Sequence, residues 1–146
     1  MLRQKQHRLG PGPWPARSGR KRVLIENGDR AVRWAYAGIL GEAGYDVESC
    51  GGPGDGDGEP VRCPLLEERR CLLVDGADVV VSTCDLAESR AILARLTSNG
   101  GPAVVFEAPE ATFDRFRDVA GKSIALPVPV TGASLRAAVA DAEASV

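Results

Sequence analysis

From Arg22 onward, short apolar runs alternate with segments whose apolar residues recur at spacings of three and four. Residues 23–26 (VLIE) make a short, nearly continuous apolar run of the kind that forms a strand buried on both faces. Asp29 then predicts a helix over 30–43, because its carboxylate can accept the free amide hydrogens of a first helical turn. Within that helix Val32, Tyr36, Ile39, Leu40 and Ala43 share one face. Gly44 supplies a left-handed stop, and 45–49 reads as a second strand. Residues 77–83, with Val79, Val80 and Val81 in succession, give the strongest buried-strand signal in the chain. A helix with Ile92, Leu93 and Leu96 inward follows and ends at Asn99-Gly100. A fourth strand is expected over 103–106, a helix carrying Phe113 and Phe116 over 109–119, and a fifth strand over 123–126. Thr131 or Ser134 caps a last helix that runs through Leu135 and Val139.

Strands alternating with helices at intervals of ~20 residues imply right-handed crossovers and a parallel sheet covered on both faces. The expected class is α/β, a flavodoxin-like three-layer sandwich with a five-stranded parallel sheet of order 2-1-3-4-5. One connection departs from the pattern. Residues 51–62 form an insertion whose first nine residues (GGPGDGDGE) are too rich in glycine for a regular element. Beyond it, 64–74 predicts a short helix, with Pro64 in its first turn and Asp75-Gly76 closing it.

Charge changes this picture only at the start of the chain. The net charge of −2 hides a leading segment, residues 1–22, with seven Lys or Arg, His7 and no acid. The other 124 residues carry 11 basic and 20 acidic side chains, a net of −9. Residues 1–21 are therefore expected to be a disordered basic arm and 22–146 the folded domain. The arm is the one feature that suits weak electrostatic contact with nucleic acid, since the globule adds no basic stripe. No apolar run approaches the ~20 residues of a membrane span, and the arm lacks the apolar stretch of a signal peptide. A cytoplasmic protein is expected. The preference for Arg over Lys (15 against 3) points to a GC-rich bacterial genome.

The segment VLIENGDR at 23–30 and the helix end LGEAGYDV at 40–47 resemble a bacterial response-regulator receiver (CheY-like) domain, and the resemblance extends from Arg22 to about Ala144. It implies positions for a phosphorylation site. The acidic pair after the first strand matches Asn27 and Gly28, with Asp29 just beyond; the phosphoacceptor aspartate matches Thr83, with Asp85 two residues later. The switch Ser/Thr matches Glu107, and the lysine of the Lys-Pro pair matches Val128, leaving only Pro129. Mg²⁺ takes hard oxygen ligands, usually carboxylates, and phosphoryl transfer needs a cation against its developing charge. Asn27, Gly28, Thr83 and Val128 supply neither, so the resemblance is to a degenerate pseudo-receiver. It implies a non-enzymatic module of bacterial signal transduction that binds another protein, with a second copy of the chain among the candidate partners. The surface it implies for a partner includes Phe113, Phe116, Val130, Leu135 and Arg136. The crevice at the strand ends near Asn27, Thr83 and Glu107 also suits a small polar ligand.

Four cysteines give the alternative. Cys50, Cys63, Cys71 and Cys84 are spaced 13, 8 and 13 apart. Cys50 and Cys84 are expected at the same edge of the sheet, with Cys63 and Cys71 in the connection above it. Four thiolates could there hold Zn²⁺ or an iron–sulfur cluster, or form a redox switch, although no Cys-x₂-Cys knuckle is present. Cysteines that are inert core residues are the plainer reading, and it carries no cofactor. No Walker loop, Gly-x-Gly-x-x-Gly motif or nucleophile elbow occurs, which leaves NTPase, dinucleotide and hydrolase functions without support.

Overall fold

The computed structural model describes residues 13–52, 63–83, 89–98 and 100–145. Five strands, β1 (Arg22–Glu26), β2 (Asp46–Cys50), β3 (Val79–Thr83), β4 (Ala103–Ala108) and β5 (Ile124–Pro127), form one all-parallel sheet of order β2-β1-β3-β4-β5. Among the described residues six helices accompany them: α1 (Arg30–Glu42), α2 (Pro64–Glu67), α3 (Leu72–Gly76), α4 (Ser89–Leu96), α5 (Glu110–Ala120) and α6 (Gly132–Ala144). None of these is long and apolar enough to cross a membrane.

Side chains alternate across the sheet and divide the core in two. Val23, Ile25, Val79, Val81 and Val105 meet Tyr36 and Leu40 of α1 and Leu135, Val139 and Ala142 of α6. On the other face Leu24, Val80, Val104 and Phe106 meet Leu73 of α3, Leu93 and Leu96 of α4 and Ala120 of α5. Continuous Val/Ile/Leu strands are therefore required, because both faces are covered.

Local chemistry sets the helix ends. Asp29 Oδ1 accepts from the amides of Ala31 at 2.8 Å and Val32 at 3.2 Å. Thr131 and Ser134 act together: each side chain bonds the other's backbone amide, at 3.0 and 2.9 Å, in a capping box. The helix expected over 64–74 is two helices, because Arg69 takes a left-handed φ of 60° and breaks the turn between α2 and α3.

The expectation of a disordered arm over 1–21 is corrected from Pro13 onward. Trp14 donates its indole N–H to the Leu73 carbonyl at 2.8 Å and stacks beneath the Arg22 guanidinium, 5.3 Å from the ring centre. Arg22 also donates to the Pro15 carbonyl at 2.6 Å, Arg17 pairs with Asp78 at 3.5 Å, and Ser18 donates to Asp46 at 2.5 Å. The segment is a strap across the amino-terminal edge of the sheet. Indole burial and neutralisation of Asp78 outweigh the polarity that suggested a solvated leader.

Candidate functional site

The strand register brings one row of residues to the carboxyl-terminal edge. Glu26 lies opposite Cys50 on one side and Ser82 on the other, and Thr83 lies opposite Glu107. Glu26, Asn27, Ser82 and Glu107 are all buried. Strand alternation sends these groups to opposite faces.

On the α1 face, Tyr36 donates its hydroxyl to Glu107 Oε1 at 2.7 Å, and Thr83 donates to Glu107 Oε2 at 3.2 Å. Asn27 donates from Nδ2 to Thr83 Oγ1 at 2.7 Å and accepts the Asp29 amide on Oδ1 at 2.8 Å. Burial, with the adjoining Glu107 carboxylate, holds the Tyr36 phenol far above its ordinary pKa. The chain Asn27–Thr83–Glu107–Tyr36 thus ties β1, β3, β4 and α1 together. Arg33 of α1 brings a cation to the edge of this network, donating to the Asn27 carbonyl at 2.7 Å.

On the other face, Glu26 Oε2 accepts from the Ser82 hydroxyl at 2.8 Å and the Thr83 amide at 3.3 Å. Gly52 closes over this carboxylate at φ +62°, and a Cβ there would overlap Glu26 Oε1. Cys50, Cys63 and Cys71 pack on the same side. Burial, reinforced by the Glu26 charge and by Cys71 and Cys63, pushes the Cys50 thiol up to about 12. Burial also raises Cys63, against the backbone amides of Leu66 and Leu65 that favour its thiolate.

The sequence-predicted positions separate accordingly. Asn27, Thr83 and Glu107 come together; Gly28 offers no side chain, and Asp29 is the α1 cap. Val128 lies beyond β5, 45% exposed, with no charge to contribute. Cys84 and Asp85 lie outside the described residues. Cys63 and Cys71 precede α2 and α3, and the three described cysteines are free thiols. Among the described residues no three His, Cys, Asp or Glu side chains are arranged to hold a metal ion.

Glu26, Tyr36 and Ser82 join the site from positions that the sequence marks only as strand or helix-face residues. The acidic-pair positions were expected at Asn27 and Gly28, with Asp29 just beyond; β1 ends one residue earlier, on Glu26, and carries a carboxylate to the same edge. The expected partner surface also changes. Leu135 is fully buried, and Phe113 and Phe116 are half-buried, packing on Phe106 with ring centres 5.0 and 5.9 Å apart. Val130 is half-buried against the α1 side of the core, and only Arg136 is exposed.

No family model matches the sequence, and no curated protein matches it. Solved structures do. The chemotaxis response regulator CheY4 of Vibrio cholerae aligns with 84% of this chain and 98% of its own, at a TM-score of 0.62 and 14% identity. A CheY-like response regulator receiver domain protein from Methanospirillum hungatei aligns over 86% and 94%, at 0.62 and 17%. A receiver domain protein from Clostridium thermocellum aligns over 86% and 95%, at 0.61 and 15%. The chain has the receiver fold. At these identities the likeness is one of architecture, and the side chains at the strand ends are this chain's own.

The fold brings with it the question of Mg²⁺. The donor set does not suit it: Glu26 points to one face and Glu107 to the other, and both carboxylates and Asn27 are taken up by internal hydrogen bonds. No buried side-chain oxygen or nitrogen among the described residues lacks a partner.

Proposed function

We propose that this chain is a regulatory module of bacterial signalling, built on the receiver fold, that acts by binding another protein and does not accept a phosphoryl group. The observation that carries the reading is the Thr83–Glu107 hydrogen bond. In the receiver resemblance a carboxylate belongs on the third strand and a hydroxyl on the fourth. Here the two have changed places. A threonine hydroxyl at the β3 position is far less nucleophilic than a carboxylate, and it is already spent as a donor to Glu107. Val128 replaces the ammonium group that would stabilise transferred charge. A protein retaining this scaffold without its chemistry has its surface left to act with.

The test is mass spectrometry of the full chain after incubation with acetyl phosphate and Mg²⁺. An unchanged mass is expected. A Mg²⁺-dependent gain of one phosphoryl group on the β3–α4 segment would end the proposal.

The cysteine reading stands second, favoured by the clustering of Cys50, Cys63 and Cys71 beside Glu26. Metal analysis of protein purified without oxygen decides it. Stoichiometric zinc or iron supports it, and metal-free protein with four titratable thiols removes the metal form.

A further inference from the structure

We infer that the outward face of α1 is a self-association surface on which a second copy of this chain packs antiparallel. The helix buries Tyr36 and Leu40 against the sheet. On its opposite side Trp34 is 82% exposed, the most exposed large hydrophobic side chain among the described residues. Gly38 and Gly41, one and two turns further on, share that outward face. A Cβ at either glycine would meet nothing within 4 Å. The monomer's packing therefore requires neither glycine, although each weakens a helix interior by ~1 kcal/mol relative to alanine. A projecting indole beside a floor without side chains is self-complementary. It is the arrangement a two-fold interface needs, where the same patch serves both partners.

Charge fixes the direction. Arg30 opens α1 and Glu42 ends it, both exposed and neither with an ion-pair partner among the described residues. Each has the wrong sign for its own helix, whose amino end is positive and carboxyl end negative. In an antiparallel pair centred between residues 34 and 38, Arg30 faces Glu42 of the partner subunit. Each charge then lies beside a helix end of opposite sign. The same register sets Trp34 over Gly38 of the partner subunit and Ala31 beside Gly41 of the partner subunit. Binding hot spots are enriched in tryptophan and cluster near the centre of an interface.

Sedimentation velocity of the full chain over a concentration series tests this. A reversible monomer–dimer equilibrium is expected, with Trp34→Ala weakening it by about tenfold or more. Gly38→Gln and Gly41→Gln are expected to raise the melting temperature of the monomer while weakening the dimer, a combination that misfolding cannot produce. Arg30→Glu and Glu42→Arg each weaken association, and the double variant R30E/E42R restores it. A single monomeric mass at every concentration overturns the inference. So does a dimer that tolerates both Trp34→Ala and Gly38→Gln, since it would use another face.

Discussion

Glu107 is a buried carboxylate held by two hydroxyls from different elements, and its neighbours should reveal how much that arrangement matters. Tyr36→Phe removes one donor and leaves Oε1 without it, which should lower unfolding free energy by about 1–3 kcal/mol. Thr83→Val removes the second donor and also strands Asn27 Nδ2, so urea unfolding should show at least as large a loss. Two other groups give a pH signature. Tyr45 donates to Glu143 at 2.8 Å, and burial, with that carboxylate, raises its phenol from 10.0 to about 12. Because the folded pKa is the higher one, the contribution is complete below pH 10 and fades between 10 and 12. Unfolding measured across that range should fall more steeply for the native chain than for Tyr45→Phe. Cys50, raised from 9.0 to about 12, should remain a thiol at pH 9, so native protein should show less thiolate absorbance and slower alkylation there than unfolded protein. A Cys50 that alkylates as fast folded as unfolded would contradict that burial. Of these residues, Thr83 and Glu107 were legible because strand ends are where doubly wound folds gather polar groups. Glu26 was not, since a glutamate closing an apolar strand gives no sign in sequence of the hydroxyl that will meet it. The pairing with Ser82, and not the run itself, makes it a buried carboxylate.

At the scale of elements, strands and long helices follow from their apolar periodicity, and the differences lie at edges and in one connection. The fourth strand runs two residues past 106, to Ala108, because Glu107 and Ala108 still pair with Leu126 and Pro127 of β5. The sequence of 64–74 is helical throughout in composition, and nothing in it announces that Arg69 will turn left-handed. The strap was the larger omission. A basic, Pro/Gly-punctuated segment has the composition of disorder, and only the tertiary partners of Trp14 reverse that. Trp14→Ala should therefore lower stability by about 1–3 kcal/mol in denaturant unfolding, through lost packing on α3 and a bond lost at the Leu73 carbonyl. No change would return the strap to the status of a passive leader. Gly76 makes the same point from the other side, since a Cβ there would lie 2.5 Å from Trp14 Cδ1.

For the whole molecule, the sheet order and its two-sided core were readable from alternation alone, and structures at 14–17% identity share them. Function was less so, because it depends on which face each edge residue points to. The strap lies at the amino-terminal edge, among the residues that begin β1, β2 and the approach to β3, whereas the Thr83–Glu107 pair lies at the carboxyl-terminal edge. Five residues of strand put roughly 17 Å between them. A fluorophore coupled within the strap would consequently sit behind the sheet, at the far end of its strands from the threonine–glutamate pair.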